Sequence, residues 1–212
     1  MDTSAFPRPF WNDGGPLLVL PQDAEAAWEG SDPPRDGCTV VAVSRAGNSN
    51  GVATDYDRAC DIDPESPGTL DVGNSWGLVL GTAAAQSALC LPGDIPGEFY
   101  LVGIETADDS SPTRLRRLAA TQPSAAWRPL RLQAPVGPNG LLLAHAACRP
   151  AEVRELPALD PPGTEDSLGA LIGDGLRYPA PPGTYTIRAC DVQSAAGEYF
   201  TFVRFEISVA AA

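Results

Sequence analysis

The strongest constraint on the fold lies at the C-terminal end. Gly183-Thr184-Tyr185-Thr186-Ile187-Arg188-Ala189 and Tyr199–Val209 are rich in β-branched and aromatic residues and are joined through the polar Ser194–Gly197. Tyr185, Ile187 and Ala189 alternate onto one face, and Tyr199, Thr201, Val203, Phe205 and Ile207 do the same. A period of two is the mark of a strand, and two such runs with a short Ser/Gly connection predict an antiparallel hairpin. This end of the chain reads as a small β-sandwich.

Upstream, short apolar runs stand between Gly and Pro punctuation. Pro16–Leu20 suits a buried strand, and Gln22–Trp28 suits a short helix that stops at Gly30. Cys38–Val43 reads as a strand, Ser44–Gly51 as a polar loop, and Trp76–Leu80, Ala88–Leu91 and Phe99–Ile104 as further strands. The clearest helix is Ser111–Ala120: Ser111 can cap it, Pro112 suits the first position, and Leu115, Leu118 and Ala119 form one stripe. Asp108 and Asp109 precede its positive end, and Arg114, Arg116 and Arg117 are left for the solvent side. Leu141–Ala147 is another strand, and the Pro-, Gly- and acid-rich stretch through Asp174 reads as long loops. The Pro/Gly character of Trp127–Gly140 places a boundary there, giving an α+β domain over 1–133 and a β-rich domain over 134–212. The predicted class is α+β: a mixed or antiparallel sheet with short helices, followed by a smaller β-rich, sandwich-like region.

Composition narrows the partners. The chain has 212 residues, 43% of them hydrophobic, which is enough for a substantial core. All 14 basic residues are arginine, and with 22 prolines and 21 glycines this points to a GC-rich coding bias. The net charge of −13 disfavours nucleic acid and anionic membranes, whose phosphates need neutralising, and favours a basic partner. The five cysteines (Cys38, Cys60, Cys90, Cys148, Cys190) are scattered without metal-knuckle or redox spacing. Met1-Asp2-Thr3-Ser4 is not the start of a secretory signal, and no apolar run approaches the roughly 20 residues of a membrane span. A reduced, cytoplasmic protein is the expectation.

A signature runs from Trp11 to Cys60: Trp11-Asn12-Asp13-Gly14-Gly15-Pro16 leading into Leu17–Pro21, then Trp28-Glu29-Gly30, then Asp55-Tyr56-Asp57-Arg58-Ala59-Cys60. Weaker matches follow in Val72–Gly81 and in the apolar strand before Glu105. This pattern, over about residues 10–130, resembles the immunity protein 21 family of bacterial polymorphic toxin systems. Its members are encoded beside a toxin gene and protect the producing cell by binding the toxin. The resemblance implies a stoichiometric toxin-binding protein with a cognate toxin domain, basic by charge complementarity, as its partner. Ser31–Val52 is a longer excursion than the family pattern needs, and residues after Val136 lie outside it.

The residues assigned to partner binding are Trp28, Asp55, Asp57, Arg58, Asp61 and Asp63. Asp55, Asp57, Asp61 and Asp63 alternate as calcium-loop ligands do, but the glycine and the terminal bidentate glutamate are missing and Arg58 competes for the site. Arg58 is instead expected to fork across one or two of the carboxylates and pin the turn. Trp76 is expected in the core; Trp28 suits either core or interface, and Trp11 and Trp127 suit packing at domain edges. His145, in an apolar strand, reads as a core residue, and a Cys60–His145 pair would require the two halves to meet. Gly47-Asn48-Ser49-Asn50-Gly51 lacks the following Lys-Ser or Lys-Thr of a phosphate loop. No catalytic set, metal site or cofactor is assigned, and the sequence carries no signal of oligomeric state. The rival readings are a β-rich adaptor that docks partners on its C-terminal hairpin, and a carboxylate-dependent hydrolase.

Overall fold

The computed structural model describes residues 8–11, 15–32, 53–63, 66–80, 87–106, 111–155 and 174–208. Cys38–Val43, Ser44–Gly51, Asp108 and Asp109 lie outside them, as does most of the loop stretch before Asp174. Twelve strands form two six-stranded sheets. The first orders β1 (Arg8–Trp11), β5 (Ser87–Pro92), β6 (Phe99–Thr106), β12 (Tyr199–Ile207), β11 (Gly183–Gln193) and β7 (Arg128–Val136). The second orders β3 (Gly68–Val72), β4 (Ser75–Leu80), β2 (Leu17–Pro21), β8 (Leu141–His145), β10 (Asp174–Tyr178) and β9 (Arg154–Glu155). All the pairings are antiparallel except the short one between β9 and β10.

Side-chain alternation explains the layering. On β2, Leu17 and Val19 face the other sheet while Leu18 and Leu20 face outward; on β4, Trp76, Leu78 and Leu80 face in and Val79 faces out. Both faces are apolar because both are covered, which is why Leu17–Leu20 reads as an unbroken apolar run. The inner faces meet in one core that includes Phe99, Leu101, Leu141, Leu143, Tyr185, Ile187, Val203 and Phe205. Trp76 is fully buried there, as its strand position predicted, with its indole N–H donating to the Pro135 carbonyl at 2.9 Å.

Each outer face has a helical cover. On the first sheet, α2 (Pro112–Ala120) lays Leu115, Ala119 and the edge of Leu118 on Val102, Cys190, Val192, Phe200 and Phe202, with Trp127 beside them. Pro112 takes the first helical turn as predicted; Ser111 is the N-cap residue, but its side chain makes no capping hydrogen bond. Arg114 ties the helix to the β11–β12 turn through a two-pronged pairing with Glu198. On the second sheet, the 3-10 segment Gln22–Ala27 and α1 (Asp55–Cys60) cover Leu18, Leu20 and Val79 with Ala24, Trp28 and Ala59.

The C-terminal hairpin is present as predicted, Tyr185 pairing with Ile207 through to Gln193 with Tyr199. It is not a free edge, however: β12 is also paired with β6 and β11 with β7. The break expected between residues 133 and 134 falls inside β7, and each sheet contains strands from both sides of it. Pro129 and Pro135, which suggested a linker, sit on an edge strand, where the missing N–H leaves no ladder bond unmade.

Candidate functional site

Three pieces of the signature, Gly15–Pro21, Trp28–Gly30 and Asp55–Cys60, meet around the end of β8. Thr54 caps α1: the Asp57 carboxylate accepts from the Thr54 N–H at 2.8 Å and its hydroxyl at 2.9 Å, while the Asp57 N–H donates to Thr54 Oγ1 at 3.1 Å. This reciprocal capping box makes Asp55–Cys60 a helix. The alternating carboxylates therefore do not line one face as they would in an extended loop, because successive helical residues turn by about 100°. The Thr54-x-x-Asp57 spacing was the signal that could have revealed this.

Both oxygens of the Asp55 carboxylate are engaged, one accepting the Glu29 N–H at 2.8 Å and the other pairing with Arg58 at 2.8 Å. The second prong of Arg58 goes to the backbone carbonyl of Asp71 on β3. Arg58 thus pins the segment with one carboxylate and one carbonyl. The Tyr56 N–H donates to the Gly30 carbonyl at 2.9 Å, the Ser31 N–H to the Ala147 carbonyl at 3.0 Å, and the Ala146 N–H to the Pro16 carbonyl at 3.0 Å. Gly30 adopts φ +65° and lies so close to Ala147 that a methyl group would collide with its carbonyl.

Trp28 is 2% exposed and donates its indole N–H to the Ala146 carbonyl at 2.9 Å. Asp57, at 7%, is buried as well. Both of these residues assigned to partner contact are thus buried, Trp28 in the cluster with Ala24, Ala59 and Val79 and Asp57 in the Thr54 cap. Asp55 and Arg58 are half-buried, and Asp61 and Asp63 are exposed. Sequence reasoning missed Asp71, whose side chain is 82% exposed and paired with Arg131 at 3.2 Å. It also missed Arg149, which meets Glu29 at 3.3 Å and also pairs with Asp32.

His145 is half-buried at the end of β8, its ring stacked on Tyr56 with centroids 5.9 Å apart and its Nδ1 accepting from the Ala147 N–H at 3.2 Å. The Tyr56 side chain also hydrogen-bonds that of Cys60. Burial first, then the nearby Asp57 and Asp61 charges, push the Cys60 thiol up, outweighing the Tyr56 bond that opposes them. A thiol held protonated at neutral pH is a poor nucleophile. Burial likewise raises the Tyr56 phenol. Cys60, Cys90, Cys148 and Cys190 are all free thiols. Among the described residues no group of three or more His, Cys, Asp or Glu is placed to hold a metal ion, and no helix is long and apolar enough to cross a membrane.

The architecture is that of a helix-covered β-sandwich in which Trp28–Gly30 and Thr54–Cys60 form an interlocked polar clasp, beside an acidic rim of the exposed Asp61, Asp63 and Asp71. Residues 11–198 match the family model described as Immunity protein 21, and the chain belongs to that family. The match extends well beyond residue 130, consistent with β7, β8 and β10–β12 sharing sheets with the signature strands. No curated protein and no solved structure matches the chain.

Proposed function

We propose that this chain neutralises a cognate toxin domain by stoichiometric, non-catalytic binding in the cytoplasm of the producing cell. Membership of the immunity protein 21 family carries the reading. The charge of −13 supports a basic partner, and the free thiols of the described cysteines suit a reducing compartment. Asp61 and Asp63, exposed at the C-terminal end of α1, supply contact charge, with Asp55 and Arg58 as organisers and Asp57 and Trp28 as the buried support.

An acidic face accelerates encounter, while the packed centre of an interface of roughly 1,600 Å² sets the dissociation rate. Co-expression with the toxin domain encoded beside the gene tests the reading: cells survive with this chain and die without it. Asp61→Arg combined with Asp63→Arg slows association about 10-fold at low salt and leaves the thermal midpoint unchanged. Undiminished protection and an unchanged on-rate in that variant would remove the two aspartates from the contact surface. Failure of the unaltered chain to bind the toxin domain would end the whole reading.

A further inference from the structure

Leu132 is 66% exposed, the most accessible large apolar side chain among the described residues. Its orientation comes from the irregular pairing of β7 with β11. Between Tyr185–Ala134 and Ile187–Arg131, β7 takes three steps to its neighbour's two; between Ile187–Arg131 and Arg188–Pro129 it takes two to one. Bulges of this kind re-aim side chains. Leu130, Ala134 and Val136 pack on the inter-sheet core, and Leu132 between them points to solvent.

The backbone that carries that leucine is held. Arg131 closes the bulge around it, its Nε donating to the Gln133 carbonyl at 3.1 Å and its Nη1 to the Asp71 carboxylate at 3.2 Å. The Leu132 carbonyl accepts from Thr186 Oγ1 at 3.2 Å. A backbone already fixed before binding reduces the ordering cost when a partner covers the side chain it presents.

The strip around it is continuous with the acidic rim. Thr69 Oγ1 on β3 donates to the Leu130 carbonyl at 3.4 Å, and Arg128 reaches Ser66 and the Pro67 carbonyl. The Ser66 N–H donates to the Asp63 carbonyl at 3.2 Å, and Arg58 ties α1 to the backbone of Asp71. Arg58 is matched by Asp55 and Arg131 by Asp71, and the exposed Asp61 and Asp63 outnumber Arg128, which leaves the strip negative.

Building on the toxin-binding reading, we infer that the interface centres on this seam between β3 and β7, with Leu132 as its apolar anchor in place of the buried Trp28. The occupant is a basic protein surface with an apolar recess, the recess receiving Leu132 and the flanking cations meeting Asp61 and Asp63. It is not an added strand: Pro129 and Pro135 have no N–H to offer, and the bulges break the register a new strand would need.

The test titrates the full-length chain with the catalytically inactivated toxin domain encoded beside the gene. Leu132→Arg raises Kd about 10-fold or more, mostly through faster dissociation, and leaves the thermal midpoint unchanged. Leu132→Ala shifts Kd in the same direction without adding charge. Tyr199→Arg, at an exposed position at the start of β12, leaves Kd unchanged. Wild-type affinity in both Leu132 variants overturns the anchor while leaving toxin binding intact. No binding by the unaltered chain overturns both readings. A homodimer that dissociates on Leu132→Arg overturns the assignment too, by placing a second copy on the seam.

Discussion

Asp57→Ala separates scaffold from contact. Asp57 lies in the middle of the most acidic stretch of the signature, so it invites a role in recognition, yet it is buried and both Thr54 donors are satisfied by one of its oxygens. Truncation leaves the Thr54 N–H without its acceptor in a buried setting, at about 1–3 kcal/mol. It also dismantles the helix cap, for which about 0.5–2 kcal/mol is usual. The two penalties share the same bonds, so the expected loss is about 2–3 kcal/mol. In a protein of this size each kcal/mol shifts the midpoint by about 2–4 °C, giving a fall of about 4–12 °C. Urea unfolding should show a lower midpoint concentration at unchanged slope. Asp57→Asn, whose amide oxygen can still accept from the Thr54 N–H, should lose clearly less. Toxin affinity, measured well below the new midpoint, should fall less than 3-fold. A variant of near-native stability whose toxin binding collapses would show Asp57 to be a contact residue and refute the clasp argument.

Two further outcomes follow from the same geometry. Gly30→Ala forces a left-handed φ on a side chain whose methyl collides with the Ala147 carbonyl, so soluble yield and thermal midpoint should drop sharply; a variant melting with the wild type would contradict the close approach. Burial pushes the Tyr185 phenol up to about 12, and burial also raises Tyr100 and Tyr178. Since unfolded tyrosines ionise near pH 10, the folded state binds more protons above that pH. The stabilisation is therefore fully present below about pH 10 and lost as pH rises through 12, by at most about 1.4 kcal/mol per tyrosine per pH unit. Unfolding free energies that stay flat from pH 10 to 12 would count against it.

The strands were legible wherever apolar residues recur without competition. Leu17–Leu20, Trp76–Leu80, Phe99–Ile104 and both strands of the hairpin announce themselves by length, β-branching and alternation. Two other segments misled for identifiable reasons. Asp55–Cys60 read as a carboxylate-bearing turn because the eye counts charges; the Thr54–Asp57 cap that makes it helical is a local signal and was available. The prolines of Arg128–Val136 read as a boundary because sequence does not distinguish an edge strand, which tolerates them, from a linker. Trp28 was undecided between core and interface because its burial depends on Ala146, 118 residues away. Leu132 was invisible: a bulge is a relation between two strands, and no feature of Arg-Leu-Gln alone betrays it.

The clasp and the acidic rim respond differently to salt, and that difference decides how the surface works. Arg58 reaches β3 through the Asp71 carbonyl, a neutral acceptor, while Arg131 reaches the exposed Asp71 carboxylate, a pair of the kind worth about 0–1 kcal/mol. The capping box and the Trp28–Ala146 bond are buried, where screening is weak. Raising ionic strength therefore leaves α1 tied to β3, and β3 tied to β7 through Thr69 Oγ1 and the Leu130 carbonyl, with Leu132 still presented, while the long-range field of the exposed acids fades over a Debye length of about 10 Å at 0.1 M. Association should slow with salt and dissociation should barely change, because the field acts on encounter and the packed seam on residence. If dissociation instead quickens in step with salt, the acidic rim itself holds the toxin and the apolar anchor is subordinate to it.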